Sequence, residues 1–234
     1  MYMIQIVERP FKWGGVENVV EENLFIRLAR SGLVRTVFDI GARNTNMPYI
    51  FDRDCSIYLF EPNPIRYRDL MDEFKVYNNV HVNGYGVGDE NGTIPYYENT
   101  ESFIERKVHV QSRNPIMLPI KSFQTVVSEL DLPLIDFMKI DTEGGEYSIL
   151  KSAQSYIIDK KIKFIQFEIG GTIFDIKENL YDIFDLFGED WRIYNMEGDC
   201  LNRMRSAFTW DPSCYGNSNL LATWIPDNEL IAFL

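Results

Sequence analysis

The chain has 234 residues and 45% hydrophobic content, enough to bury one good core, and no long Pro/Ser/Gly linker divides it, so a single domain over residues 1–234 is expected. A formal net charge of −12 without a dense basic run argues against general binding to nucleic acid. The longest apolar runs fall far short of the roughly 20 residues needed to cross a bilayer, and the amino terminus lacks the basic-then-apolar layout of a signal peptide; a soluble cytoplasmic protein is the expectation.

The stretch "VENVVEENLFIRLAR" places apolar residues at helical spacing and predicts an amphipathic helix over about 16–31, ending at Gly32. Short apolar runs rich in β-branched and aromatic residues then recur: "TVFDI" (36–40), "SIYLF" (56–60), "VHVNGY" (80–85), "LIDFMKI" (134–140), "KFIQFEI" (163–169) and "WRIYN" (191–195). Between most of them lie helix-length amphipathic stretches, "PIRYRDLMDEFKVY", "SFQTVVSEL", "EYSILKSAQSYI" and "NLYDIFDLFG". Strand alternating with helix implies an α/β fold, a mostly parallel sheet with helices on both faces. Residues 86–120 read as extra β-hairpin because "ENG" is a turn signal, and residues 196–219 read as a long connection before a final strand, "LLATWI" (220–225).

The chemistry-bearing residues follow the strands. In an open α/β sheet, ligands bind beyond the carboxyl ends of the strands near the switch in strand order. After the first strand comes "DIGARNTN", where Asp39 closes the strand and Gly41 allows a tight turn. After the second comes "FEPNP", with Glu61 about 20 residues beyond the glycine turn, a spacing suited to accepting hydrogen bonds from two ribose hydroxyls. The fingerprint G-x-G-x-x-G is absent, which disfavours a nicotinamide-dependent oxidoreductase; the better fit is a nucleoside ligand without phosphate, which points to S-adenosylmethionine. "KIDTEGGEYSIL" then brings Asp141, Glu143 and Glu146 around Gly144 and Gly145 where a strand hands over to a helix.

"VFDIGARNTN", "YLFEPNP", "NVHVNGYGVGDENG", "FMKIDTEGGEYSILKSA" and "FIQFEI" resemble, in order and spacing, the FkbM-type S-adenosylmethionine-dependent methyltransferases over about residues 35–170, and "NSNLLATWIP" is similar to that family's last strand. The resemblance implies a Rossmann-like, seven-stranded class I methyltransferase sheet whose last strand is antiparallel, with a cofactor-binding core at about 35–170 and C-terminal strands and loop at about 171–234. It implies that Asp39, Gly41, Ala42 and Arg43 shape the cofactor pocket near its methionine part, that Glu61 with Pro62 and Asn63 holds the ribose, and that Gly88 and Asp89 lie near the adenine. Asp141 and Glu143 would lie where methyl donor and acceptor meet. This sequence departs from the family pattern at Arg43 and Thr45, where an asparagine and a glycine are usual, and at Phe123 and Gln124, where a Leu-Asp pair is usual.

Acids at the end of the fourth strand favour a sulfonium electrostatically and accept a hydrogen bond from an attacking hydroxyl. Asp141 and Glu143 are therefore the catalytic candidates, with Glu168 at the end of strand five as a third. The competing reading is that Asp141 or Thr142 caps the helix while Glu143 and Glu146 complement its dipole, an explanation favoured for Glu146. Pro62 and Pro64 also serve to start the following helix. His81 and His109 have no metal-ligand partner at useful spacing, and Cys55, Cys200 and Cys214 form no CxxC pair, so no metal is expected. Arg106, Lys107, Arg203, Arg205 and Trp210 mark the two long connections and could grip an acidic or sugar-like acceptor, or as easily be solvated loop residues. The leading reading is O-methylation of a hydroxyl on a small molecule or glycan, oxygen resting on the family likeness. The alternative is a non-catalytic module of the same fold, for which Arg43 and Thr45 speak.

Overall fold

The computed structural model describes residues 5–7, 17–98, 114–169, 180–197, 200–204 and 218–233. Arg106, Lys107, His109, Arg205, Trp210 and Cys214 lie outside them. The chain runs through β1 (Gln5–Val7), α1 (Glu17–Ser31), β2 (Thr36–Ile40), α2 (Met47–Ile50), β3 (Ser56–Phe60), α3 (Pro64–Phe74) and β4 (Val80–Asn83). Then follow β5 (Gly86–Gly88), β6 (Gly92–Tyr96), β7 (Ile116–Ser122), α4 (Phe123–Glu129), β8 (Ile135–Ile140), α5 (Glu146–Ser152) and α6 (Gln154–Ile158). The remainder is β9 (Ile162–Ile169), α7 (Leu180–Phe184), β10 (Arg192–Glu197), β11 (Cys200–Met204), β12 (Ser218–Thr223) and α8 (Asp227–Phe233).

Among the described residues, nine strands form one sheet in the order β1-β11-β10-β12-β9-β8-β2-β3-β4. From β9 to β4 every neighbouring pair is parallel. The last strand, β12, is antiparallel to both β9 and β10, as the sequence predicts. The seven strands from β10 to β4 are those read from the sequence, and β11 and β1 extend the sheet beyond β10. The stretch 196–219, read as a connection, therefore contains a strand. Its pattern hid it: Leu201 packs into one layer and Met204 into the other, with Asn202 and Arg203 between them.

Helices cover both faces because strand side chains alternate. Val37 and Phe137 point into a layer with Leu24 and Leu28 of α1, Leu70 of α3 and Leu230 of α8. Phe38, Met138 and Ile140 point into the opposite layer with Val126 of α4, Leu150 of α5, Ile157 of α6 and Ile183 of α7. Each fully buried side chain of this kind contributes roughly 1.5–3 kcal/mol through removal from water.

Local chemistry sets the helix ends. Asn63 accepts from the backbone N–H of Ile65 (3.0 Å) and Arg66 (3.3 Å), and Pro64 opens α3 with the φ it already holds. The stretch 146–157, read as one helix, breaks at Ala153. The Gln124 side-chain amide donates to the Ser152 carbonyl, and Tyr156 N–H bonds Ala153 instead, at 2.9 Å. Gln124 also accepts from the Ser152 hydroxyl at 2.7 Å, so this departure from the family pattern knits α4 to the end of α5.

Candidate active site

Strand order reverses between β2 and β8: β3 and β4 continue to one side, β9 to the other. That is the switch point at which an open parallel sheet leaves a crevice above its carboxyl ends. Two loops meet there. Gly41 and Ala42 N–H groups both donate to Phe60 O (3.0 and 3.2 Å), and Asp141 N–H donates to Ile40 O (3.0 Å). Gly41 has φ +87°, and a Cβ on it would stand 1.8 Å from the Asp141 carbonyl oxygen. The glycine is thus required by the neighbouring loop, whatever ligand lies above.

A cavity of about 260 Å³ opens at this point, just below the roughly 300 Å³ at which small-ligand clefts begin. Gly41, Arg43, Glu61 and Pro62 form one side of it. Val87, Gly88 and Asp89 from β5 and its turn, with Ile94 and Tyr96 of β6 and Ile120 of β7, form a second, largely apolar wall. Asp141, Thr142, Glu143, Gly144, Gly145 and Ser148 close the third. The three-stranded sheet β5-β7-β6 supplies the apolar wall, a role that the hairpin reading of 86–120 did not include. The alternation in "GTIPYY" was the available signal.

Glu61 is held firmly. It is 6% exposed, one carboxylate oxygen accepts from Asn63 N–H at 2.8 Å, and the other accepts from Arg43 N–H at 3.2 Å. Burial raises its pKa, against the lowering effect of those two hydrogen bonds and of Arg66 and Arg43. A carboxylate has about four acceptor positions, so each oxygen keeps capacity for one more donor. Arg43 itself is exposed at the rim, and the cavity beside it stays open.

The acid-rich loop is built from within. Glu146, 8% exposed, accepts from Thr142 N–H and Thr142 hydroxyl through one oxygen, both at 2.8 Å, and from Gly144 N–H through the other at 2.9 Å. Glu146 is therefore a loop clamp, a more specific task than complementing a dipole. Glu143 adopts a left-handed backbone at φ +55° and Gly144 one at +119°. At Gly145 a Cβ would meet Thr142 Oγ1 at 2.8 Å. Both glycines are needed for the turn that delivers Asp141 and Glu143 to the cavity wall.

Asp141 receives the Lys139 ammonium at 2.7 Å. Burial pushes its pKa up, but the charge and hydrogen bond of Lys139, a hydrogen bond from Glu168 and the charge of Arg43 outweigh it and hold the carboxyl below its usual range. Glu168 goes the other way. Burial, then the adjacent charge and hydrogen bond of Asp141, then Glu143 and Glu146, raise it to about 9.

Of the residues singled out in the sequence, Gly41, Arg43, Glu61, Pro62, Gly88, Asp89, Asp141 and Glu143 come together around the cavity. Four of the proposed catalytic and cofactor-binding residues do not line it. Asp39 is 1% exposed and shares the α1 face of β2 with Val37; Thr45 hydrogen-bonds its carboxylate. Ala42 is packed into the core of that same face. The Asn63 side chain is engaged in capping α3, and Glu168 lies one step back, behind Asp141. Arg203 pairs with Asp227 at 3.2 Å on the far strand β11, and does not reach the cavity. Lys139 was missed and Thr142 was weighed only as a helix cap, although both stand inside the quoted motif.

The sequence model of the methyltransferase FkbM domain matches residues 39–194. No curated protein matches the chain. Among solved structures, methyltransferase FkbM from Methylobacillus flagellatus KT is similar at 19% identity and a TM-score of 0.46, over 92% of this chain and 48% of that one. The chain thus spans about half the length of that protein. The precorrin-6y C5,15-methyltransferase of Geobacter metallireducens GS-15 is similar at 12% identity and a TM-score of 0.45, over 95% of each chain. The O-methyltransferase of Bacillus cereus, solved in complex with SAH, is similar at 9% identity and a TM-score of 0.44, over 92% of this chain and 83% of that one. With two thirds of its length matched by the family model, this chain belongs to the FkbM methyltransferases.

Proposed function

We propose that the chain is an S-adenosylmethionine-dependent methyltransferase that methylates a hydroxyl group on a small molecule or glycan. The observation that carries the reading is Glu61: a buried carboxylate at the carboxyl end of β3, tethered by two backbone N–H groups, with acceptor capacity left toward the cavity. That arrangement fits a ribose diol, and the wall of Val87, Ile94, Tyr96 and Ile120 fits a flat adenine face.

When bound, the cofactor supplies a methyl group on a positively charged sulfur. The chain's own acids do the rest. Asp141 and Glu143 stand on the same cavity wall and favour a cation there. Asp141, ionised by its Lys139 partner, accepts a hydrogen bond from the acceptor hydroxyl, aligns it for in-line attack and takes its proton. Gly144 and Gly145 keep the loop thin enough for donor and acceptor to approach it.

Calorimetric titration of the folded protein with S-adenosylmethionine and with S-adenosylhomocysteine tests this. Micromolar binding is expected, weakened about 30-fold in Glu61→Ala because a hydrogen bond to a charged group contributes roughly 2 kcal/mol. Asp141→Asn should keep affinity for S-adenosylhomocysteine, whose sulfur is uncharged, and lose its release in a screen of hydroxylated small molecules and oligosaccharides. A folded protein that binds neither compound overturns the proposal and leaves the non-catalytic module.

A further inference from the structure

Lys139 is a charged residue in the middle of a parallel sheet, and its buried ammonium can serve methyl transfer only through Asp141, on which it lies. It is 9% exposed on β8, in register with Asp39 on β2 and Gln166 on β9. The layer around it is rich in acceptors: Asp39 Oδ1 and Gln166 Oε1 have no donor among the described residues, and Glu21 of α1 accepts from the Gln166 amide at 2.5 Å. Burial would strip the proton from Lys139; the Asp141, Asp39 and Glu21 carboxylates outweigh it and keep the ammonium charged.

On the other side of Asp141, Glu168 of β9 stands one step beyond the register pair Ile140–Phe167 and shares a side-chain hydrogen bond with Asp141. Two carboxyl groups can share a hydrogen bond only if one carries a proton. Lys139 decides which: its ammonium lies on Asp141 Oδ2, so the negative charge stays on Asp141.

We infer that Lys139 and Glu168 are positioning residues for Asp141, the ammonium fixing it as an anion and Glu168, as a neutral acid, donating a hydrogen bond that locks its orientation toward the cavity. This rests on the methyl-transfer reading and gives Glu168 a role other than a base. When the acceptor oxygen forms its new bond to carbon and the sulfur takes the electron pair, the hydroxyl proton becomes strongly acidic. A weakly basic Asp141 then suffices to take it, and Glu168 keeps its own proton throughout. Orientation and charge, rather than basicity, are what the array supplies. The groups that face it are Lys139 from β8, Arg43 from the loop after β2, Asp39 from β2, Glu21 from α1, and Glu143 and Glu146 from the loop and start of α5.

The test is an NMR titration of carbon-labelled glutamate carboxyls in the folded protein, with Glu168→Gln for assignment. One glutamate should hold its proton through neutrality and release it near pH 9, the signal vanishing in Glu168→Gln, and in Asp141→Asn its midpoint should fall by at least about one unit. In turnover, Glu168→Gln, which keeps a donor, should stay within about threefold of wild type and lose the alkaline transition, whereas Glu168→Leu should lower kcat tenfold or more. An ordinary glutamate midpoint for Glu168, or a Glu168→Gln variant as inactive as Asp141→Asn, overturns the inference. The titration needs no cofactor, so it stands or falls separately from the methyltransferase reading.

Discussion

The Asp141 carbonyl oxygen occupies the space in which residue 41 would carry its Cβ, the two lying 1.8 Å apart if that atom is built. Gly41 also holds φ +87°, a left-handed conformation that costs a side-chain-bearing residue roughly 1–3 kcal/mol. Overpacking against a backbone atom adds a similar amount, so Gly41→Ala should lose at least about 3 kcal/mol in urea denaturation. The loop bearing Asp141 would have to move, so cofactor affinity should fall with stability. A variant within about 0.5 kcal/mol of wild type would show that the two loops do not approach as described.

Glu146 presents only acceptor oxygens to three donors from Thr142 and Gly144. Glu146→Gln turns one of those oxygens into an amide that faces an N–H or O–H, leaving a buried donor unsatisfied at a cost of about 1–3 kcal/mol. Hydrogen exchange at the Thr142 and Gly144 amides should accelerate, and kcat should drop more than cofactor affinity. Unchanged exchange at both amides would remove Glu146 from its place as the clamp.

Arg43 stands exposed at the rim, where its charge acts on Glu61 and Asp141 through solvent-screened distances. Its removal in Arg43→Ala should change S-adenosylmethionine affinity less than about fivefold, an effect that shrinks as salt is raised. Binding that tightens more than tenfold would mean that the arginine obstructs the cavity; a tenfold loss would mean that it grips the ligand.

How much of this was legible in the sequence depended on whether neighbours in space were also neighbours in chain. β2 and β3 begin and end where "TVFDI" and "SIYLF" do, because an apolar run between turn residues contains its own boundaries. Glu61 could be read from its distance past the glycine turn. Asp39, in contrast, was expected near the ligand, although its period-two relation to Val37 puts it on the α1 face, where the Thr45 hydroxyl meets it. Thr45, a departure from the family pattern, thereby has a structural task. Lys139 was invisible for a deeper reason: what keeps it charged are acids from β2, α1 and the following loop, which only the folded sheet brings together. The apolar wall was lost with the hairpin, whose strands pair across residues far apart in the chain.

Glu168 also makes stability depend on pH in a direction that can be worked out. Its pKa is raised in the folded protein to about 9, by burial first and then by Asp141, Glu143 and Glu146, whereas in the unfolded chain a glutamate titrates near about 4.3. Below the unfolded value both states hold the proton and nothing differs. Between about 4.3 and 9 the folded state binds more protons than the unfolded one, so this residue's contribution is progressively lost as pH rises. Glu168→Gln cannot lose a proton. Its thermal midpoint relative to that of wild type should rise steadily from pH 5 to pH 9, the raised pKa values of Glu61 and Glu146 being present in both proteins. The lowered Asp141 acts in the opposite sense only at more acidic pH. A margin that stays constant from pH 5 to pH 9 would mean that Glu168 ionises with ordinary ease, and that the proton it shares with Asp141 is not there.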